Sequence, residues 1–226
     1  MTIVALGDSC VLGIGVHERD TVSARLEGLL TDRSNHAPGP SYEVINCGVA
    51  GYATREERLF YELFASQYEP DVILLVMYWN DDRSFREDAR LGYIYTPDRT
   101  GEVLSFWRLL QGNRYARRRP KPNYTPTVGE ILQLQEDCRR QNARLAVVFF
   151  RVESLTEDWS NLVTTVSAGL EGRGIPIIDL GPELLRTHAP EQLFVYPGLD
   201  EHPNEIGHQF AAEQLEQFLR REKLIP

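Results

Sequence analysis

Ser9 lies in a sequence context suited to nucleophilic chemistry. It follows a short apolar run, residues 3–6, as part of the sequence Gly7-Asp8-Ser9-Cys10. A serine hydroxyl is a weak nucleophile unless a base accepts its proton, and histidine has the usual side-chain pKa that suits this task near neutrality. If Ser9 is a nucleophile, one of the five histidines must lie close to it in the folded chain.

A glycine-rich turn after a strand also occurs in nucleotide-binding proteins, where backbone N–H groups cradle phosphate. Here Gly7 and Gly13 do not have the spacing of a GxxxxGK[ST] loop, no lysine follows them, and the pattern GxGxxG is absent. The carboxylate of Asp8 would also repel a phosphate. These features disfavour nucleotide binding.

Three further polar blocks stand where predicted elements meet. The second apolar run leads into Asn46-Cys47-Gly48-Val49-Ala50-Gly51-Tyr52, the third ends in Tyr78-Trp79-Asn80-Asp81, and Asp200-Glu201-His202-Pro203-Asn204 precedes the last amphipathic segment. In parallel sheets, functional residues collect beyond the carboxyl ends of the strands. We therefore expect these blocks to converge on Ser9.

Taken together, the four blocks resemble those of the SGNH/GDSL hydrolase superfamily, in the same order and across essentially the whole chain. The resemblance implies a three-layer α/β/α fold of the flavodoxin-like type, with a central parallel sheet of about five strands. It also implies that Ser9 is the nucleophile and His202 its base. The implied oxyanion hole consists of the backbone N–H groups of Ser9 and Gly51 and the side-chain amide of Asn80. Glycine lets a substrate approach its N–H closely, and an asparagine amide donates without carrying charge.

Two positions depart from the family pattern. The acid of the family usually stands three residues before the histidine, and here that position is Leu199. We predict that Asp200 orients His202, as in members with the shorter spacing; a backbone carbonyl or Glu201 is the alternative. At Tyr78 the family often has glycine, and an aromatic residue there is expected to narrow the pocket wall or change the acyl site.

The remaining residues of these blocks are expected to have supporting roles. Asp8 and Asp81 are predicted to accept hydrogen bonds from loop amides that hold Ser9 and Asn80 in place. Cys10 is predicted to be a packed small hydrophobe.

His202 is preferred over His17, His36 and His188 because, like the catalytic histidine of the family, it directly precedes a predicted helix that begins with proline, here Pro203. His208, about a turn and a half into that helix, is expected to pack or to make helix-surface contacts.

The polar blocks require elements that bring them together. Short apolar runs alternate with helix-length amphipathic segments, which is typical of a parallel sheet with helices on both faces. The predicted strands are residues 3–6, 42–45, 72–77, 145–150 and 175–178. The predicted helices are residues 21–30, 55–66, 127–142, 162–172 and 203–221.

Residues 1–226 are expected to form a single domain, because the chain has the length and the ordinary composition of one, with 42% hydrophobic and 25% charged residues. A formal charge of −9 argues against nucleic-acid binding. The three cysteines indicate neither a disulfide framework nor a zinc site. No apolar run is long enough to span a membrane. A cytoplasmic location is expected for the chain as given, and an extracytoplasmic one if a signal or anchor preceded it.

Residues 82–126 form an insertion rich in arginine, tyrosine and proline, with a short helix predicted over 104–110. It is expected either to shape the substrate pocket as a lid or to pack on the domain or on a second subunit. The insertion contains one basic cluster, which consists of Arg114, Arg117, Arg118, Arg119 and Lys121. Such a cluster is usually solvated surface; the alternative is that it binds an anionic substrate. The insertion also contains the aromatic residues Phe85, Tyr93, Tyr95, Phe106, Trp107, Tyr115 and Tyr124.

The function implied by the resemblance is hydrolysis of a carboxylic ester through an acyl-Ser9 intermediate, with carbohydrate acetyl esters as one substrate class. The alternatives are an O-acyltransferase acting on a glycan or another hydroxyl acceptor, and a non-catalytic carbohydrate-binding protein. We expect no cofactor and no metal, since this chemistry requires neither and the acidic and histidine residues lack ligand spacing.

Overall fold

The central feature of the molecule is a five-stranded, entirely parallel sheet with the strand order β2-β1-β3-β4-β5. The computed structural model describes residues 1–35, 40–78, 80–81, 122–151, 157–197 and 199–226. The strands are β1 (Thr2–Gly7), β2 (Glu43–Gly48), β3 (Val72–Met77), β4 (Arg144–Phe149) and β5 (Ile177–Asp179). Helices cover both faces of the sheet, so the predicted three-layer α/β/α fold is confirmed.

The described helices are α1 (Ser9–Leu12), α2 (Val22–Asn35), α3 (Thr54–Leu63), α4 (Thr125–Arg140), α5 (Glu157–Leu170), α6 (Gly181–Thr187) and α7 (Glu205–Arg221). Three short 3₁₀ turns lie at Glu18–Asp20, Ala65–Tyr68 and Pro190–Gln192. Among the described residues, no helix is both long and apolar enough to cross a membrane.

Two apolar cores lie on the two faces of the sheet. Along β3, Leu74 and Val76 pack into the core formed with α2 and α7, while Ile73, Leu75 and Met77 pack into the core formed with α3, α4 and α5. Successive side chains of a strand point to opposite faces. A strand buried on both faces is therefore continuously apolar, which is why the run 72–77 was predicted with its observed bounds.

A two-stranded antiparallel hairpin, β6 (Phe194–Tyr196) and β7 (Asp200–Pro203), precedes the last helix. Asn204 caps α7, because its Oδ1 accepts hydrogen bonds from the N–H groups of Ile206 at 3.0 Å and Gly207 at 3.2 Å. The helix therefore begins at Glu205. Pro203 belongs to β7, and the prediction that it starts the helix is wrong.

Helix α4 begins at Thr125, two residues earlier than predicted, so the end of the predicted insertion 82–126 is part of the ordered sheet-and-helix structure. Tyr124 is 1% exposed and belongs to the core between the sheet and α3 to α5. The other aromatic residues, the basic cluster and the predicted helix over 104–110 lie outside the described residues.

Candidate active site

Ser9 is the first residue of α1, directly after β1. Asp8 forms the N-cap, because its Oδ1 accepts a hydrogen bond from the Cys10 N–H at 2.9 Å. The helix ends at Gly13, which adopts a left-handed conformation at φ 83° and donates its N–H to the Ser9 carbonyl at 3.1 Å. The side chain of Ser9 is half-buried, whereas Cys10 is buried in the core as predicted.

The end of β2 holds α1 in place. A Cβ on Gly48 would lie 2.2 Å from the backbone nitrogen of Leu12, so only glycine permits this approach. Asn46 donates from Nδ2 to the Val11 carbonyl at 2.8 Å and accepts the Gly48 N–H at 3.0 Å. The sequence analysis assigned no role to Asn46, although it stands in the same block as Gly51.

Gly51 lies in the turn that follows β2. The Tyr52 N–H donates to the Val49 carbonyl at 3.1 Å, and Gly51 has a φ of 79° in this turn. A positive φ at this position is adopted readily by glycine and at a cost by other residues. The turn follows β2, the neighbour of β1 in the sheet.

Asp81 shapes the turn that carries Asn80 at the end of β3. Its Oδ2 accepts the Tyr78 N–H at 2.9 Å, and its N–H donates to the Tyr78 carbonyl at 3.1 Å. Thr127 in the first turn of α4 donates its hydroxyl to the Asp81 carbonyl at 2.7 Å. The Tyr78 ring packs edge-on against the Trp159 ring, with their centroids 5.3 Å apart.

Asp8 connects the two loops that follow β1 and β3. Burial raises the pKa of its carboxyl group; hydrogen bonds from the Cys10 N–H, the Cys10 thiol and the Asn80 side chain, together with the charge of nearby His202, act in the opposite direction. An amide carries two N–H donors, so Asn80 keeps a second donor when one is directed to Asp8. These loops stand between β1 and β3, where the strand order reverses and α/β proteins place their sites.

His202 is held by Asp200 on the hairpin. Asp200 Oδ1 lies 2.6 Å from His202 Nδ1 and also accepts the His202 N–H at 3.1 Å. Partial burial acts to raise the pKa of Asp200, but the hydrogen bonds from the His202 ring and backbone outweigh it, and the pKa lies below its usual value. Leu199, at the position where the family usually has its acid, is 91% exposed.

The hairpin lies against the loop and short helix that carry Ser9. Strand β7 contacts α1, and a Cβ on Gly15 would lie 2.6 Å from a methyl group of Val195 on β6. Since Asp8 also responds to the charge of His202, the Asp200–His202 pair and the start of α1 occupy the same region.

The other described histidines differ from His202. His208 is completely buried in α7, and its Nδ1 accepts the Val22 N–H at 3.1 Å at the start of α2. His17 precedes a 3₁₀ turn, and His188 ends α6 beside the Thr187 hydroxyl. His36, like Trp79 of the third block, lies outside the described residues.

The fold is similar to those of several solved ester hydrolases. A protein from Desulfitobacterium hafniense DCB-2, described as lipolytic and of the G-D-S-L family, matches 96% of this chain and 99% of its own at 14% identity and a TM-score of 0.60. The acetyl xylan esterase AlAXEase matches with 96% and 98% coverage, 18% identity and a TM-score of 0.64. A catalytic mutant of Axe2, an acetylxylan esterase from Geobacillus stearothermophilus, matches with 98% and 93% coverage, 16% identity and a TM-score of 0.63.

No protein-family model and no curated protein matches the sequence. At identities below one fifth, the similarity to solved structures establishes the fold. It is the fold that the resemblance to SGNH/GDSL hydrolases implies.

Proposed function

We propose that this chain is a serine ester hydrolase in which Ser9 attacks the carbonyl carbon of a carboxylic ester. The observation that carries the proposal is the bond between Asp200 Oδ1 and His202 Nδ1, on a hairpin that contacts the helix beginning at Ser9. A carboxylate on Nδ1 fixes the tautomer with its proton on that nitrogen. Nε2 is then the basic nitrogen that can serve Ser9.

The proposed reaction has two halves. Nε2 of His202 accepts the hydroxyl proton of Ser9 as Oγ bonds to the ester carbonyl carbon, and Asp200 stabilises the imidazolium that forms. His202 then gives this proton to the leaving alcohol, and an acyl-Ser9 ester remains. A water molecule, deprotonated by the same nitrogen, attacks the acyl carbonyl and releases the carboxylic acid and free Ser9.

The negative oxygen of the tetrahedral intermediate needs donors that are already in position. We assign this role to the N–H groups of Ser9 and Gly51 and to the Asn80 amide. The left-handed turn at Gly51 and the bond from Asn80 to Asp8 support the assignment, because both fix a donor before substrate binds.

We infer that acetyl esters of carbohydrates are the substrate class. Two of the similar structures are named acetylxylan esterases. Tyr196, which pairs with Asp200 across the hairpin, is 65% exposed and offers an aromatic face to a sugar ring beside the base.

The test is hydrolysis of p-nitrophenyl esters of increasing acyl length and of acetylated xylo-oligosaccharides, by the wild type and by Ser9→Ala. We expect saturable release of acetate by the wild type and its loss in Ser9→Ala, with little change in the free energy of unfolding. An organophosphorus probe should label Ser9 in the wild type and nothing in the variant. Turnover by Ser9→Ala above a few per cent of wild type would place the nucleophile elsewhere.

The same assay separates the alternatives. If an added acceptor sugar is acylated while release of free acid falls, the chain is an O-acyltransferase that uses the same acyl-Ser9. If no ester is turned over and no probe is bound while oligosaccharides still bind, it is a carbohydrate-binding protein.

A further inference from the structure

Glu57 is a buried acid beneath the candidate active site. It lies in the first turn of α3, where glutamate is ordinarily at the surface, yet it is 1% exposed. Both of its carboxyl oxygens are buried, and neither has a hydrogen-bond partner among the described residues. An ionised carboxylate that receives no hydrogen bond in such a place is very unfavourable, whereas a neutral carboxyl group is tolerated.

The charges around Glu57 are negative. Asp81 at the end of β3 and Asp8 at the end of β1 both act on it, as does Glu56 on its own helix. On α4, which packs against α3, the facing acids are Glu130 and Asp137, and they pair with Arg58.

Arg58 is also bonded to Glu62, so this cation is engaged away from Glu57. The positive group that acts on Asp8 is His202 when its ring is protonated. Among the described groups that shift Glu57, none is positive.

The three buried carboxyl groups differ in the donors they receive. Asp8 accepts the Cys10 N–H and the Asn80 amide, and Asp81 accepts the Tyr78 N–H. Glu57 has no comparable donor. Burial raises the pKa of Glu57 well above its usual value, and the neighbouring carboxylates of Asp81 and Asp8 raise it further. Of the three, Glu57 is therefore the group that retains a proton.

We propose that Glu57 is a positioning residue that stays protonated at neutral pH, so that it supplies a hydrogen-bond donor instead of a third negative charge near Asp81 and Asp8 and thereby fixes the Asn80 loop relative to the Ser9 loop. Its effect on catalysis rests on the proposed esterase function. Its protonation and its effect on the loops do not, so they can be measured without turnover.

Protonation is tested by comparing the stability of wild type and Glu57→Gln by urea unfolding from pH 4 to 9. The unfolded chain releases the Glu57 proton near pH 4.5, and the folded chain retains it to higher pH. The folded state then binds more protons, so wild-type stability must fall relative to Glu57→Gln as pH rises from about 4.5 to the raised pKa. An infrared difference spectrum of the same pair at pH 7 should contain the C=O band of a protonated carboxyl group.

Positioning is tested with two neutral replacements of similar size, Glu57→Gln, which keeps a donor, and Glu57→Met, which does not. We expect the kcat of Glu57→Gln to stay within a few-fold of wild type. The kcat of Glu57→Met should be at least tenfold lower, with little change in KM. Amide hydrogen exchange of Cys10 and Tyr78, whose N–H groups bond to the two aspartates, should be as slow in Gln as in wild type and faster in Met. Glu56→Gln, the same substitution at the adjacent residue, is the control and should preserve kcat and the slow amide exchange of Cys10 and Tyr78.

Three results would overturn the proposal. The first is a stability difference that does not change with pH together with no protonated-carboxyl band. The second is Met matching Gln in both kcat and amide exchange, which would make Glu57 only a space-filling group. The third is a decrease in kcat that is as large in Glu57→Gln as in Glu57→Met, which would mean that the charged form of Glu57 is needed. If wild type hydrolyses no ester, the esterase proposal fails, and the infrared, stability and exchange data still decide the state and role of Glu57. If Glu57→Met does not fold, wild type and Glu57→Gln still decide protonation, and a loss of kcat or faster amide exchange in Glu57→Gln would still overturn the positioning role.

Discussion

His202 and His208 stand six residues apart in the sequence and have opposite environments. His202 lies half-buried on the hairpin, and its Nδ1 lies 2.6 Å from Asp200 Oδ1. His208 is completely buried, its Nδ1 accepts a backbone N–H from Val22, and its ring packs edge-on against Phe150. Burial lowers the pKa of His208 to about 4; nearby His202 acts in the same direction and Asp20 opposes it.

The comparison shows that the role of a histidine depends on the groups that surround its ring. A ring that must gain and lose a proton in each turnover needs a partner that stabilises the cation and access to the substrate. A ring whose Nδ1 accepts a backbone N–H within the core must stay neutral, because protonation would place a hydrogen on Nδ1, which could then no longer accept that bond.

The largest expected effect is that of removing the proposed base. His202→Ala should lower kcat on the order of 10⁶-fold, because Ser9 would then have no group to accept its proton. His188→Ala, which replaces a half-buried histidine directly after α6, is the control and should retain wild-type kcat. A folded His202→Ala protein with near-normal turnover would give the role to another histidine.

Asp200→Asn tests the partner of His202. The loss of the carboxylate should lower kcat by up to about 10⁴-fold, as for other triads in which the aspartate becomes asparagine. Glu201→Gln is the control and should retain wild-type kcat. Nearly full activity of Asp200→Asn would reduce the site to a Ser9–His202 dyad.

Asn80→Ala separates oxyanion stabilisation from base catalysis. We expect kcat to fall on the order of 10² to 10³-fold with KM little changed, and the shape of the pH–rate profile should be retained because the base is intact. Steady-state kinetics with p-nitrophenyl acetate measure both constants. A rise in KM alone would identify Asn80 as a substrate-binding residue.

The smallest expected effect concerns His208 and stability. Its folded-state pKa of about 4 is below the usual 6.5, so the unfolded chain binds a proton that the folded chain excludes. Stability from this group is complete above pH 6.5 and is lost progressively as pH falls toward 4, by roughly 3 kcal/mol. His208→Asn keeps an acceptor for the Val22 N–H and cannot titrate, so urea unfolding at pH 7 and pH 4 should reveal the difference between the proteins. An equal loss of stability in both would contradict the neutral role.

The main strands and helices could be predicted because each is indicated by a pattern of residues that are adjacent in the chain. Residues 72–77 form a continuously apolar run, and β3 has the predicted bounds. Helix α1 was not predicted, because four residues cannot display an amphipathic period. The hairpin was not predicted either, since its strands are short and β7 is polar. Its absence from the prediction is also why Pro203 was wrongly placed in the helix.

The candidate site was predicted residue by residue but not in its contacts. The blocks around Ser9, Gly51, Asn80 and His202 were recognised by type and order, and Asp200 was chosen although its spacing departs from the family pattern. The hydrogen bond of Asp200 to His202 required the structure, because the fold of the hairpin decides which acid reaches the ring. Nothing in the sequence indicated that Glu57 is buried, because a glutamate in the first turn of a helix is ordinarily solvated.

The sequence by itself determined the alternation of strands and helices and the chemical types that follow β1, β2 and β3, because these depend on residues adjacent in the chain. Only the tertiary structure decided that Asp8 accepts a hydrogen bond from Asn80, that His208 is buried against the start of α2, and that the charges of Asp8 and Asp81 act on a buried Glu57. Each of these joins residues that are far apart in the chain, and the first requires β1 and β3 to be neighbours in the sheet. Burial and the charge of neighbours are properties of that assembly, and they decide which carboxyl and which imidazole groups are charged.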